Sequence, residues 1–209
     1  MHRVSAFTGV CAALLLIAAC GNSSPSGPTK SLTIVATASL DGWVTSAGVV
    51  QTVGGGPVTG DVDSLFPGVA IRQFYSFDLS GLPAGAEVDS ATLRLYQANV
   101  AGTPFTSLGN VLVDHVNYGT TLTAAAFDQT AVASNIGILS SNTTIEYKTL
   151  TVTSSVKEDV SLSRARSQYR LRMSIIGADN DFTADNVSFS DAEQSCCPGQ
   201  PPQLVITYK

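Results

Sequence analysis

The feature that most constrains the fold is a pair of alternating segments around residues 72–96, joined by a link rich in turn-forming residues. Side chains of like character recur at every second position, which is the period of a half-buried β-strand. Asp, Gly and Pro within residues 78–86 supply the turn between the segments. The residues that share one side are Ile71, Gln73, Tyr75 and Phe77 in the first segment, and Ala91, Leu93 and Leu95 in the second.

The same pattern of short strands and turn signals continues through residues 31–209, without an internal repeat. It predicts one all-β domain, a β-sandwich or jelly roll of about nine to ten strands. One or two short helical turns are expected, at residues 122–127 and 154–167, the second capped by Ser154 or Ser155. The candidate strands are residues 32–38, 43–53, 69–77, 88–100, 108–118, 144–152, 168–176, 186–189 and 203–208.

Residues 74–96 read F-x-S-F-D-L-S-x-L-P-x-G-A-x-V-x-S-A-T-L-R-L-Y. This run resembles the signature of the DNRLRE-type domain, also classed as carbohydrate-binding module family 96, of bacterial secreted and surface proteins. Similar runs follow at residues 108–111, 114–119, 168–172 and 202–208, so the resemblance covers roughly residues 32–208. It implies a non-catalytic β-sandwich, and for part of the family an alginate ligand.

The first thirty residues predict a secretion signal followed by a flexible tether. A basic start and an apolar run end in Ile17-Ala18-Ala19-Cys20, which looks like a bacterial lipobox. Residues 1–19 are then a lipoprotein signal peptide, and Cys20 is acylated and anchors the chain in a lipid bilayer outside the cytoplasm. An ordinary secreted protein cleaved nearby, or a buried helix, are the alternatives. Residues 20–30, small, polar and rich in Pro and Gly, predict a flexible lipidated tether.

The charge balance bears on possible partners. The sequence carries 16 acidic and 11 basic residues, for a net charge of −5. A net negative chain is a poor partner for the phosphates of nucleic acid or for an anionic membrane surface. Nucleic-acid binding is therefore not expected.

Catalytic signatures are scarce. Once the signal peptide is removed, His115 is the only histidine, and no nucleophile motif surrounds any serine. The chain has no phosphate-binding glycine loop, HExxH or CxxC motif. Paired carboxylates for glycoside cleavage stay open on sequence alone, since the partners can be distant in the chain. We expect a non-enzymatic protein in which His115 is structural.

An acidic loop at residues 177–186 is the best candidate for a cation site. Asp179, Asp181 and Asp185, with Thr183 between them, offer hard oxygen atoms at alternate positions, a spacing that suits Ca²⁺. The loop lacks the Gly and Glu of an EF-hand. The prediction is a structural calcium, and the alternative is an ordinary surface turn.

Cys196 and Cys197 are adjacent, and ordinary disulfide geometry needs Cα atoms further apart than one peptide unit allows without distortion. Three interpretations stay open: a vicinal disulfide, a reduced pair for a soft metal, and an inert loop feature. An oxidising exterior favours the vicinal disulfide. No other Cys or nearby His completes a metal ligand set.

Strand parity identifies a candidate ligand platform. Arg170 and Arg172 fall on the side of their strand opposite its apolar residues, and Arg72, Arg94 and Tyr96 lie on the two alternating segments. If these strands are neighbours, a cationic face with an aromatic ring suits an acidic polysaccharide, because Arg grips carboxylates and a ring stacks on sugar C–H faces. The alternative is that these arginines pair with Asp and Glu on a solvated sheet.

Two functions of different class follow. The first is a non-catalytic, lipid-anchored surface module that binds an anionic polysaccharide such as alginate or an envelope glycan. The second is a structural or adhesive surface domain that makes protein contacts without a glycan ligand. Clustered arginine and aromatic side chains on one sheet favour the first function, and arginines that are scattered and salt-bridged favour the second.

Overall fold

The structure, a computed structural model, describes residues 27–52, 56, 58–62, 68–175 and 177–209. The predicted signal peptide, Cys20 and most of the predicted tether lie outside these residues. Residues 27–29 have no regular structure, and Lys30 begins the first strand. No helix in the described ranges is long and apolar enough to cross a membrane.

The described residues form twelve strands, two short helices and two 3-10 turns. The strands are β1 (Lys30–Val35), β2 (Gly42–Thr45), β3 (Val50–Gln51), β4 (Val58–Asp61), β5 (Ala70–Asp78), β6 (Val88–Ala101), β7 (Val111–Val116), β8 (Ala133–Ser140), β9 (Tyr147–Thr151), β10 (Arg166–Met173), β11 (Asn186–Phe189) and β12 (Gln203–Tyr208). The helices are α1 (Pro104–Ser107) and α2 (Thr153–Ser161), and the 3-10 turns are Leu79–Gly81 and Ala124–Ala126.

The predicted all-β sandwich is confirmed, with differences in individual elements. Strands β4 and β8 and helix α1 were not predicted, and the single strand expected at residues 43–53 is a hairpin of β2 and β3. Helix α2 follows Val152 and not a serine cap, so the expected cap at Ser154 or Ser155 is wrong. Thr153 is instead the first helical residue, and its hydroxyl accepts a hydrogen bond from the backbone N–H of Ala91 (2.9 Å).

Two antiparallel sheets are joined by β6. Sheet A has the order β1-β12-β6-β9, and sheet B has the order β6-β11-β4-β5-β10-β7-β8, with β2 on β5 and β3 on β2. The first part of the 14-residue β6 pairs with β12 and β9, whereas its end, residues 97–101, pairs with β11. One continuous strand therefore belongs to both layers.

The main core lies between the inner faces of the two sheets. Every second residue of β6 and β12 points inward from sheet A, and aromatic side chains from β5, β10 and β11 meet them from sheet B. Val156 of α2 belongs to the same core. The fully buried inward residues include Leu93, Leu95, Leu204, Ile206, Tyr75, Phe77, Tyr169 and Phe189.

Strand β5 is buried on both of its faces. Phe74 points away from the main core and packs in a second, smaller apolar cluster. The cluster is completed by residues of the segment 117–129, which lies over the outer face of sheet B and which we call the covering loop. The buried members of this second apolar cluster are Val44, Ala70, Phe74, Leu122, Ala126 and Phe127. The outer face of sheet B is thus occupied at this point by the chain itself.

Candidate functional site

Arg170 lies beneath the covering loop, and all three nitrogen atoms of its guanidinium group donate hydrogen bonds to other residues of the protein. Its Nε and Nη2 donate to the same oxygen of Asp114, at 3.1 and 2.8 Å. Its Nη1 donates to backbone carbonyls of the covering loop, including those of Phe127 (3.0 Å) and Gln129 (2.8 Å). Only 7% of the Arg170 side chain is exposed. This arginine fastens the loop to the sheet.

Arg172 shares the same carboxylate. Its Nε donates to Asp114 Oδ2 at 3.0 Å, and the backbone N–H of Asn135 donates to Asp114 Oδ1 at 2.8 Å. Burial pushes the pKa of Asp114 upward, but the Asn135 amide and the two guanidinium groups outweigh it and hold that pKa below its usual range. Asp114 is therefore an ionised, buried anchor for two arginines.

Arg72 completes this group from β5. Its Nη1 donates to the backbone carbonyl of Phe127 and to Asp128 Oδ1 (3.1 Å), and its guanidinium lies 4.0 Å from the centroid of the Phe127 ring. Burial, together with the positive charge of Arg170, lowers the pKa of Arg72. Three of the five predicted platform residues are thus brought together, but they are bound to groups of the protein itself: Arg72 and Arg170 to the covering loop, and Arg172 to Asp114.

The other two predicted platform residues lie on the opposite sheet. Arg94 and Tyr96 are on the outer face of sheet A, where Arg94 is paired in register with Gln203 of β12 and Tyr96 with Tyr147 of β9. The Arg94 guanidinium lies 4.7 Å from the centroid of the Tyr147 ring, and Nη1 donates to Gln203 Oε1 at 2.9 Å. We call Arg94, Tyr96, Tyr147 and Gln203 the sheet A platform.

The two tyrosine rings of the sheet A platform meet edge to face. Their centroids are 5.4 Å apart and their planes are inclined by 71°, an arrangement that aromatic pairs favour. The Tyr147 hydroxyl donates to the carbonyl of Pro201 at 3.1 Å, which ties the platform to the loop before β12. All four side chains belong to partly exposed residues.

Sequence reasoning missed Tyr147 and Gln203. Tyr147 was within a predicted strand, but nothing in the sequence shows that β9 pairs with β6. Threonines in neighbouring register positions extend the same face: Thr149 faces Arg94, and Thr151 faces Thr92. Among the described residues, the outer face of sheet A therefore presents the Arg94 guanidinium, two aromatic rings, an amide and several hydroxyl groups.

The three aspartates of the acidic loop bring their carboxylate groups together. One carboxylate oxygen from each of Asp179, Asp181 and Asp185 lies within 4.8 Å of the others. Local hydrogen bonds shape the loop, since the amide of Asp181 donates to Asp179 Oδ1 (3.3 Å) and that of Thr183 to Asp181 Oδ1 (2.7 Å). Desolvation, with repulsion from Asp181 and Asp185, raises the pKa of Asp179.

A fourth carboxylate supports this loop from β4. Asp61 is fully buried, and its two oxygens accept the amides of Asp185 (2.8 Å) and Asp179 (3.4 Å). Asp185 is itself 1% exposed; its Oδ1 accepts the amide of Thr103, and its Oδ2 is buried without a hydrogen-bond partner. Sequence reasoning missed Asp61 because β4 was not predicted.

Cys196 and Cys197 form a vicinal disulfide in the loop between β11 and β12. Because both sulfur atoms are used in this bond, neither is a thiolate that a soft metal needs. Cys196 is exposed and Cys197 is half-buried.

His115 is fully buried in β7 and faces helix α2. Its Nε2 lies 3.0 Å from both carboxylate oxygens of Asp159, which also accepts a hydrogen bond from Arg164 Nη1 (2.9 Å). Tyr169 packs beside the ring, with centroids 5.9 Å apart. His115 therefore lies in a packed contact between the sheet and the helix.

No family model matches the chain, and no curated protein sequence matches it. Sandwich architecture alone is compatible with many functions. The features that bear on function are the sheet A platform and the acidic loop.

Proposed function

We propose that this protein is a non-catalytic binding module of the bacterial cell surface that holds an anionic polysaccharide on the sheet A platform. The observation that carries the proposal is the partly exposed grouping of Arg94 with two tyrosine rings on one sheet face. Guanidinium pairs with carboxylates through parallel hydrogen bonds, and aromatic rings offer flat apolar surface to a sugar. The resemblance to DNRLRE-type domains supports the same class of ligand.

The free donors of Arg94 distinguish it from the buried arginines. Among the described residues Arg94 makes one side-chain hydrogen bond, to Gln203, whereas Arg170 makes five, to Asp114 and to backbone carbonyls. Arg94 therefore keeps N–H groups for a uronate carboxylate, and the Tyr147 ring beneath it holds the guanidinium in place. The ligand-binding role is accordingly assigned to Arg94, and Arg72, Arg170 and Arg172 are assigned to stability.

Affinity electrophoresis of the purified protein in gels that contain a polyuronate or a neutral polysaccharide tests this proposal. We expect the polyuronate to retard the protein, and Arg94→Ala to weaken the interaction about tenfold, since a hydrogen bond to a charged group contributes about 1.5 kcal/mol. Tyr147→Ala is expected to act in the same direction. Retardation should weaken as salt is added.

Lys157→Ala is the matched control for Arg94→Ala, because it removes one positive charge from an exposed residue of α2, which is not part of the sheet A platform. It should leave retardation unchanged. If Lys157→Ala weakens binding as much as Arg94→Ala, the attraction is only a matter of net charge. If no polysaccharide retards the wild-type protein, the glycan-binding proposal fails.

We further propose that the acidic loop binds a structural calcium ion through Asp179, Asp181 and Asp185. The unpartnered, buried Oδ2 of Asp185 supports this assignment, because a buried carboxylate oxygen without a partner is costly. Calcium coordinates carboxylates with flexible geometry, which suits a loop with two exposed acids and one buried acid.

Calcium should protect this loop from proteolysis. Phe182 is 73% exposed and is an accessible site for chymotrypsin. At a calcium concentration of a hundred times Kd, binding adds about 2.7 kcal/mol, which slows cleavage through local opening about a hundredfold. Asp181→Asn should abolish that protection, whereas Asp89→Asn, on a separate strand, should keep it. Equal cleavage with calcium and with chelator would contradict the proposal.

The membrane anchor is proposed from the lipobox-like run that ends at Cys20. Acylation of Cys20 would hold the domain at the bacterial envelope through a short flexible tether. Cys20→Ser should move the protein from the membrane fraction to the soluble fraction, and mass spectrometry of the mature amino terminus should find acyl chains only in the wild type. A Cys20→Ser protein that stays with the membrane would refute acylation as the anchor.

One observation favours a structural or adhesive role instead. Arg72, Arg170 and Arg172 are committed to internal partners, and that placement is the one expected of a scaffold. Failure of every polysaccharide to retard the wild-type protein would make this second role the better account.

A further inference from the structure

Buried oxygen atoms gather where β2, β5 and the loop after β11 meet. Asp41 directly precedes β2 and is 1% exposed. Its Oδ2 accepts the amide of Ala192 at 2.6 Å, whereas its Oδ1 is buried without any hydrogen-bond partner. A buried carboxylate oxygen in that state costs free energy unless something else binds it.

Two neutral oxygens, one on β5 and one directly after β11, share that state. Gln73 and Ser190 are fully buried, and neither Gln73 Oε1 nor Ser190 Oγ has a hydrogen-bond partner. Tyr75 links the two residues: its hydroxyl donates to the backbone carbonyl of Ser190 at 2.8 Å and accepts from Gln73 Nε2. Because the single phenol proton is used on Ser190, the Gln73 atom that faces Tyr75 must be the donor Nε2. Gln73 Oε1 therefore points elsewhere and stays unpaired.

The charges around this group are negative. Glu193 and Asp191 lie near enough to Asp41 for their negative charges to act on it. Asp191 is 4% exposed, and one of its oxygens accepts the amide of Ser195 at 2.8 Å. In the part of the chain that the structure describes, no lysine, arginine or histidine lies within salt-bridge distance of these three acids.

We propose that this group is a second cation site, in which Asp41 Oδ1, Gln73 Oε1 and Ser190 Oγ bind a calcium ion and Asp191 adds a second carboxylate. Carboxylate, amide and hydroxyl oxygens are hard ligands of the kind that calcium accepts in mixed sets. A proton on Asp41 competes with the ion for Oδ1. The proposal does not depend on the glycan-binding proposal or on the acidic loop.

An ion at this site has a structural consequence. It joins β5 to the loop between β11 and β12, which carries the vicinal disulfide and, at Pro201, the carbonyl that Tyr147 contacts. The ion would thus fix the loop that borders the sheet A platform.

Terbium luminescence of an Asp181→Asn protein tests the site, because in that background the acidic loop no longer competes for the ion. Trp43 is the only tryptophan, and it faces Gln73 across β2 and β5. Excitation of Trp43 should therefore sensitise terbium bound at the new site, and calcium should displace it. We expect Asp41→Asn in this background to abolish the sensitised emission, and calcium to raise the Tm only when Asp41 is present.

Ser190→Ala is the second variant, since Ser190 Oγ makes no hydrogen bond whose loss would unfold the protein. It should fold and should bind terbium about tenfold more weakly, the equivalent of 1.4 kcal/mol. Asp78→Asn, on the surface beside the turn at Leu79–Gly81, should change neither the sensitised terbium emission nor the effect of calcium on the Tm. The proposal is overturned if the Asp181→Asn protein shows no sensitised emission, or if Asp41→Asn or Ser190→Ala binds terbium with unchanged affinity.

Discussion

Replacing Asp114 with asparagine is expected to lower the free energy of unfolding by about 3–5 kcal/mol, because it leaves buried arginines without their counter-charge. Asp114 receives hydrogen bonds from Arg170 and Arg172, whose side chains are 7% and 15% exposed. Asparagine has nearly the same shape, so the loss comes from charge and not from packing. Chemical denaturation followed by circular dichroism measures the difference.

The control for Asp114→Asn is Asp78→Asn. Asp78 lies 3.7 Å from Arg166, and its side chain is 50% exposed, so its ion pair is screened by solvent. The substitution retains a side-chain oxygen that can accept the amide of Ser80. Its expected cost is below about 1 kcal/mol. If both variants lose the same amount, the buried network is not what holds the covering loop against sheet B.

The second large effect concerns pH in protein freed of metal by a chelator. Asp41 has a pKa of about 8 in the folded protein, against 3.8 for an ordinary aspartate. Between about pH 4 and pH 8 the folded state therefore holds a proton that the unfolded state has lost, so the free energy of unfolding falls as the pH rises. The slope from this one group is about 1.4 kcal/mol per pH unit, which amounts to several kcal/mol over the whole range.

Asp41→Asn isolates this contribution. Asparagine does not titrate, so the variant should lose this slope and be more stable than the chelated wild type near pH 8. Asp191, Glu193 and Tyr75 face Asp41 and remain in both proteins. Unfolding curves recorded at a series of pH values give the two slopes. Identical slopes for wild type and Asp41→Asn would mean that Asp41 stays ionised in the folded state.

Strand parity in the sequence predicted which side chains share a face, but not what lies over that face. Arg94 and Arg170 have the same local pattern, each alternating with apolar residues that reach the main core. One is on the partly exposed face of sheet A, and the other is beneath the covering loop. The difference depends on which strands pair and on where the covering loop folds back. The alternation of apolar and polar residues along a strand carries no information about either.

The two proposed cation sites show the same limit of prediction from sequence. Asp179, Asp181 and Asp185 are close in the chain, so their spacing alone was enough to predict that they converge. The oxygens near Asp41 come from three separate elements, and one of them belongs to Gln73, which the sequence pattern placed among core residues. Such a site becomes visible only when buried groups are checked one by one for a partner.

Strands β4 and β8 were missed for local reasons. Strand β4 has only four residues and contains Gly60, whose φ is +133° and which lies against the backbone of Asp185. Strand β8 contains Asn135 with φ +52°, and its register with β7 shifts along its length. Short or irregular strands do not show the alternation on which a prediction depends.

The register of β1 on β12 determines how the domain carries mechanical force. Six residue pairs join the two strands, from Lys30 opposite Tyr208 to Val35 opposite Gln203. A pull on the chain before Lys30, directed along β1 and away from the domain, loads those pairs in parallel, so that they must rupture together. A pull across the sheet opens them singly, starting from Lys30. The force needed to separate β1 from β12 is therefore expected to depend on the direction in which the amino-terminal segment is stretched.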